Sequence, residues 1–523
     1  MAALISVLFM LIVLAGCGGN GSAGTAGEPG GNGAERSRTV NIGCNYRPTT
    51  MDPHDLRNWS STIHAMFTFE NLIYSDHAGK YMPRLAENWD VSEDGTTWTF
   101  NLRKGVSFHN GDAFDADDVV FTVERVVNNK DLYYTGMYAP TMMAAERVDE
   151  YTVKIIFSEP NPDANNAFNS LYIISKETYE ELGDSYFHDQ YCYGTGPWVL
   201  DEWVDGQNSR FHKNPDYWNK AEYDPYFDEV VLQYISEDSS AIAAHLSGTL
   251  DMYATNGGIS MDLVPLYNGT EDKIELFEYE ADVAYQLALS FKEGSVWNDE
   301  KTRKAFDLAL DRQAIVDTIF GGTGATIPVG YFHKIMVGYD DTLGHPEYDP
   351  ERARQLLTES AYDGRPIEIM INNTTIQADD VALAVVDMAN AIGFNFSFTK
   401  EELAVFTERQ NDGRYDIYLL SMSQSDRPFR NLERMMLNYN KHDYVNEELY
   451  GIIRDTMGAN GMDADRREEL AKQANRIIFE EKAPTIVLIW KSMTQAQNRG
   501  ITGIDYWPDG LLNFAYVDWE KKG

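Results

Sequence analysis

A chain of 523 residues is too long for one hydrophobic core, and its 43% apolar and 12% aromatic content supplies material for two or three lobes. Its 82 acidic residues against 43 basic ones leave a net charge of −39, which repels nucleic acid and anionic lipid headgroups. No long apolar run follows the N-terminal one, so no membrane-spanning helix is predicted downstream.

The chain opens with "MAALISVLFMLIVLAGC", an apolar segment of signal-peptide length running into Leu14-Ala15-Gly16-Cys17. Small residues before a cysteine resemble the lipobox of bacterial lipoproteins, which implies cleavage after residue 16 and lipidation of Cys17. No Lys or Arg precedes the apolar run, where an export signal normally carries a positive segment. Residues 18–39, from "GGNGSAG" to "ERSRT", cannot build a core and read as a flexible tether spanning roughly 25–30 Å. The tether satisfies G-x-G-x-x-G on paper, but no strand precedes it and no helix follows, so a dinucleotide site is rejected. Beyond Cys17 only Cys44 and Cys192 remain. They could pair if the fold brings them together, but neither lies in a C-x-x-C or at metal spacing with histidine.

"VNIGCNY", residues 40–46, is predicted to be a buried strand opening the folded part. "IHAMFTFENLIY" has helical spacing of apolar residues at 63, 66, 67 and 72–73. Trp98, Phe100 and Leu102 alternate with polar neighbours, as in a half-buried strand. Next, "SFHNGDAFDADDVV" crowds a histidine and four aspartates together. Asn110-Gly111-Asp112 is turn chemistry, and Asp115 is predicted to N-cap an amphipathic helix with Asp117 and Asp118 in its first turn. Helix initiation therefore accounts for the aspartates, with no metal or catalytic role. Downstream, "NDEKTRKAFDLALDRQAIVDTIFGG" reads as one helix from an Asn/Asp cap to Gly321-Gly322. Asp349 and Pro350 begin another, and a third stops at Gly393 before a strand of alternating Phe394, Phe396 and Phe398. Interleaved strands and helices make the class α/β. No G-x-S-x-G, H-E-x-x-H or phosphate-cradling loop is present, so the chain is not read as an enzyme, and no cofactor is expected.

The run "PRLAENWDVSEDGTTWTFNLRKGVSFHNGDAFDADDVVFTVERV" resembles the signature of extracellular solute-binding proteins of family 5. The similarity continues through "YGTGPWVLDEWVDGQNSRFHKNPDYW", "AIAAHLSGTLDMY", "DEKTRKAFDLALDRQAIV", "YDPERARQLL" and "EEKAPTIVLIWKS". The resemblance implies a two-lobed periplasmic-binding-protein fold (type II, cluster C-like) with a subdomain inserted in the first lobe. The first lobe maps to 40–82, 190–292 and 485–523, the insertion to 83–189, and the second lobe to 293–484. It also implies a monomeric receptor on the outer face of the cytoplasmic membrane, anchored through Cys17. Such a receptor closes on a peptide and hands it to an ABC-transporter permease. An oligosaccharide, an opine-like solute or a metal chelate is the alternative ligand, and sensing without transport the alternative role.

In the family's peptide-binding branch, a second-lobe aspartate pairs with the peptide's amino terminus. Aligned on Pro428, that position here is Gln424, the preceding tryptophan position is Ser421, and Asp426 lies nearby. Losing that carboxylate would leave a buried ammonium unpaired, which weighs against free-amine peptides. Met422, Gln424, Asp426 and Arg427 are the candidate ligand residues of this stretch. Tyr46, Arg47, Thr255, Asn256, His333, Asn372 and Asn373 are further cleft candidates, by position at strand ends and in loops.

Overall fold

The computed structural model describes residues 38–57, 59–76, 79–188, 192–255, 257–423, 429, 432, 444–507 and 510–520. Cys17, the tether to residue 37, Asn256, Gln424, Asp426 and Arg427 lie outside the described residues.

One mixed sheet forms the backbone of the molecule. Its strands follow the order Phe396–Glu401, Ile367–Asn372, Ile417–Ser423, Ile274–Leu289, Thr485–Asn498, Met252–Ala254, Thr39–Cys44, Glu229–Tyr234, Asn208–Lys213 and Trp198–Val204, with Ala325–Thr326 also paired to Thr485–Asn498. Two antiparallel strands, Ile274–Leu289 and Thr485–Asn498, are long enough to run through two separate hydrophobic cores. One core gathers residues from Val40 to Val283 and from Met493 to Val517; the other gathers residues from Ala284 to Trp490. The two crossing strands thus change cores between Val283 and Ala284, and between Trp490 and Met493. A third core, Leu72 to Ile173, is built on the antiparallel sheet of Ala86–Val91, Thr97–Leu102, Thr152–Phe157 and Met142–Asp149. It touches the second core's helices through Met462 and through an ion pair between Arg467 and Asp163.

The Asp115 expectation holds in detail. Its carboxylate accepts from Asp117 N at 2.7 Å, while Asp118 reaches back to Asp115 N at 3.0 Å, closing a capping box on helix Ala116–Asn128. Asp115→Ala is expected to cost about 1 kcal/mol, read as a lower urea midpoint at unchanged slope. His109 is scaffolding too. Gly194 N–H donates to its Nδ1 at 3.3 Å, and its Nε2–H donates to Gly196 O at 2.9 Å. Burial pushes this imidazole down to about 4, so it stays neutral.

Two helix expectations are corrected. The apolar spacing of "IHAMFTFENLIY" carries a helix only from Trp59 to Thr68; Ile73 already belongs to a strand, Ile73–Ser75. The chain leaves the helix because Glu70 is fully buried and collects bonds from Thr195 (3.0 Å), Tyr217 (2.9 Å) and Trp218 (2.7 Å). The run 299–320 is two helices, Glu300–Ala309 and Arg312–Ile319, not one. Asp311 interrupts it by capping Ala314 N at 2.9 Å. Cys44 and Cys192 are free thiols, which answers the pairing question.

Candidate functional site

In open α/β sheets, ligands bind outside the carboxyl ends of strands. Here those ends converge on the middle of the crossing strands from both cores. From the first core, Met252–Ala254 runs out beside Gln495, since its Tyr253 pairs with Ala496. From the second, Ile417–Ser423 ends with Ser423 paired to Val283, which is itself paired to Lys491. The loop leaving Met252–Ala254 meets the loop that follows Ile367–Asn372, the strand beside Ile417–Ser423. Ile376 Cδ1 would lie 3.1 Å from a Cβ on Gly257, Lys491 donates to Gly257 O at 2.5 Å, and Tyr285 OH donates to Ile376 O.

Thr255 is brought to this junction and tightly held. Its backbone exchanges two bonds with the Gln495 amide (3.0 and 2.9 Å), and Asn45 donates to its hydroxyl at 2.5 Å. His333 is also there, buried, with Nε2 donating to Glu280 at 3.0 Å and its ring edge-on to Trp490 at 4.9 Å. The His333 hydrogen bond, assisted by Lys334, holds the Glu280 carboxyl down to about 2. Met422 pairs with Ala284 on the first crossing strand.

The remaining described candidates have other partners or face solvent. Asn372 Oδ1 accepts from the backbone and hydroxyl of both Thr374 and Thr375 at 2.8–3.1 Å, so it builds the turn after its strand. Asn373 donates to Glu402 at 2.6 Å. Arg47 pairs with Asp205 at 3.2 Å, on the turn of the hairpin Trp198–Val204/Asn208–Lys213. Tyr46 is 38% exposed beside it.

Sequence reasoning passed over Lys491, Glu280 and Ser423, although a lysine directly after the apolar run "IVLIW" is a visible signal. It also passed over a second concavity of about 210 Å³, walled by Pro53, His54, Tyr133, Tyr138 and Trp507. The tyrosine-rich "DLYYTGMY" was its only local sign. His54 is held neutral there. Burial pushes it down to about 4, Arg125 donates to its Nδ1 at 2.5 Å, and its Nε2–H donates to Tyr172 O at 2.8 Å. Among the described residues no group of three or more His, Cys, Asp or Glu is placed to hold a metal ion.

Against known proteins, the profile described as "Bacterial extracellular solute-binding proteins, family 5 Middle" matches residues 80–442. The periplasmic oligopeptide-binding protein OppA of Haemophilus influenzae is 26% identical over 419 residues, covering 74% of this chain and 76% of its own. Di/tripeptide-binding protein 1 of Pseudomonas aeruginosa is 26% identical over 505 residues, covering 87% and 89%. Among solved structures, the ABC transporter substrate-binding protein CtaP of Listeria monocytogenes superposes with a TM-score of 0.81 at 18% identity, covering 93% of this chain and all of that one.

Proposed function

Because the chain belongs to the bacterial extracellular solute-binding proteins of family 5, we propose that this substrate-binding receptor of the peptide-importer type takes a short peptide as its ligand and passes it to a membrane permease. The observation that carries the reading is the pair of strands crossing from one core to the other, with strand ends and loops from both cores meeting at Gly257, Ile376 and Lys491. A ligand bridging both sides stabilises the closed arrangement by the contacts it makes only there, and a partner that recognises closure reads occupancy. No covalent step is needed.

The finer parts of the proposal rest on sequence. Cys17 is the lipid anchor, and residues 18–39 are a leash that keeps the receptor near the permease. Residues 83–189 form the insertion and 293–484 the second lobe. Within the described residues no helix is long and apolar enough to cross a membrane, and anchoring through Cys17 needs none.

The test is a thermal-shift screen of residues 38–523 against di- to pentapeptides with free or acetylated amino termini, oligosaccharides and metal chelates. A ligand at 100 times its Kd adds about 2.7 kcal/mol of stability. Peptides are expected to raise the melting point. If another solute class does so while no peptide does, the peptide assignment is lost. A shift by free-amine peptides alone would require a carboxylate in place of the one missing at Gln424, with Asp426 the nearest in sequence.

A further inference from the structure

The second crossing strand is apolar from Ile486 to Trp490 in one core, turns polar at Lys491-Ser492, and places Met493 in the other core. Lys491 therefore sits where the strand changes cores, and it is only 7% exposed. Its ammonium has three donors, one of which is spent on Gly257 O at 2.5 Å. The other deeply buried cations are better provided for. Arg312 and Lys482 share Asp307, Arg84 lies beside Glu70, and Arg303 donates to the carbonyls of Glu481 and Trp297. Among the described residues no carboxylate is within ion-pairing distance of Lys491. Burial without a counter-charge is costly, and it pushes this lysine down to about 8.

A second observation points to the same place. Ser423 Oγ is buried and has no hydrogen-bond partner. Val283 pairs with Ser423 on one side and with Lys491 on the other. Directly paired residues project from the same face of a sheet, so the hydroxyl and the ammonium flank Val283 about 10 Å apart at their backbones. The Gly257 and Ile376 loops meet at this point. An ammonium with donors to spare and a hydroxyl free to donate, neither with a counter-charge beside it, match a group that accepts from both and carries negative charge.

Building on the receptor reading above, we infer that Lys491 and Ser423 form a carboxylate-binding subsite on the crossing strands, and that the solute captured here carries a carboxylate held at that point. A carboxylate oxygen accepts from the Lys491 ammonium and another from the Ser423 hydroxyl.

The test uses the full chain in detergent, as wild type, Lys491→Met, Lys491→Arg and Ser423→Ala. Melting is followed with increasing acetate or acetamide at constant ionic strength. Wild type is expected to gain more from acetate than from acetamide. Lys491→Met should melt higher than wild type without additive and gain equally from both, while Lys491→Arg keeps the preference. An acetate preference that survives in Lys491→Met, or is missing from wild type, overturns the subsite. A second arm compares di- to pentapeptides as free acids and as C-terminal amides. The acids should bind wild type roughly 10–100-fold more tightly, a difference that Lys491→Met abolishes and Ser423→Ala reduces. A Lys491-dependent acetate response with no peptide bound sinks the peptide reading and keeps the subsite. Peptide binding that ignores both the carboxylate and Lys491 does the reverse.

Discussion

Replacing Asp307 with asparagine is expected to cost about 3–5 kcal/mol of folding stability, among the largest single effects in the molecule. Asp307 is 3% exposed and carries two buried cations, Arg312 Nη2 at 2.5 Å and Lys482 Nζ at 3.0 Å. Arg312 also donates to Val487 O at 3.0 Å, so the triad ties helices of the second core to the second crossing strand. Burial opposes ionisation of Asp307, but the two cations outweigh it and hold the carboxyl below the usual range. Lys482 adopts a left-handed backbone, φ 55°, where glycine would be less strained, which places its ammonium on Asp307. The asparagine variant leaves both cations without a counter-charge. Replacing all three residues with apolar ones of similar volume should therefore cost less than the single change. The pH dependence has a fixed sign. A carboxyl depressed in the folded state adds stability above its unfolded value, about 3.9, and loses it as pH falls through the folded value. The gap between wild type and Asp307→Asn in urea denaturation should accordingly narrow only below about pH 4. A gap that is unchanged in acid, or absent at neutral pH, would mean that the triad does not carry the charge coupling described.

What could be read from the sequence was what is local. Asp115, Asp349 and the alternation at 97–102 announce caps and a strand because each signal lies within a few residues of its consequence, and each is found as expected. The family resemblance supplied the two-lobed fold. The break at Leu310-Asp311 escaped because the apolar period continues through it, while the Asp307–Arg312 pair that fixes it needs burial to matter. Thr255 and His333 are singled out by position, but Lys491 and Glu280 escaped for a related reason. Lys491 meets Gly257 across 234 positions and Glu280 meets His333 across 53, and no periodicity encodes such separations. Asn372 and Arg47 were sound as strand-end residues, but a polar side chain at a strand end has two fates, a turn or a ligand. Here Asn372 makes its own turn and Arg47 reaches the neighbouring hairpin.

One of the segments that resemble the family, "YGTGPW", is a place of close backbone packing, and this leads to the second large expected effect. Gly194→Ala should cost about 3 kcal/mol or more. A Cβ on Gly194 would lie 1.9 Å from the carbonyl oxygen of Thr68 and 2.9 Å from Phe69 Cα, both backbone atoms at the end of helix Trp59–Thr68. Neither can step aside, because that carbonyl accepts from Gly196 N at 2.9 Å and the Gly194 backbone is held by His109 on its other side. The φ of Gly194 is not in the left-handed region, so the need is for space alone. Gly451→Ala is the opposite case and the control. Within helix Glu447–Met457 it has nothing within 4 Å of a new Cβ and no positive φ, and alanine there should stabilise by about 0.5–1 kcal/mol. Urea denaturation of both variants decides the matter. If Gly194→Ala unfolds at the wild-type midpoint, the helix end has room to retreat, and the glycines of this motif must be explained by something other than the close approach of two backbones.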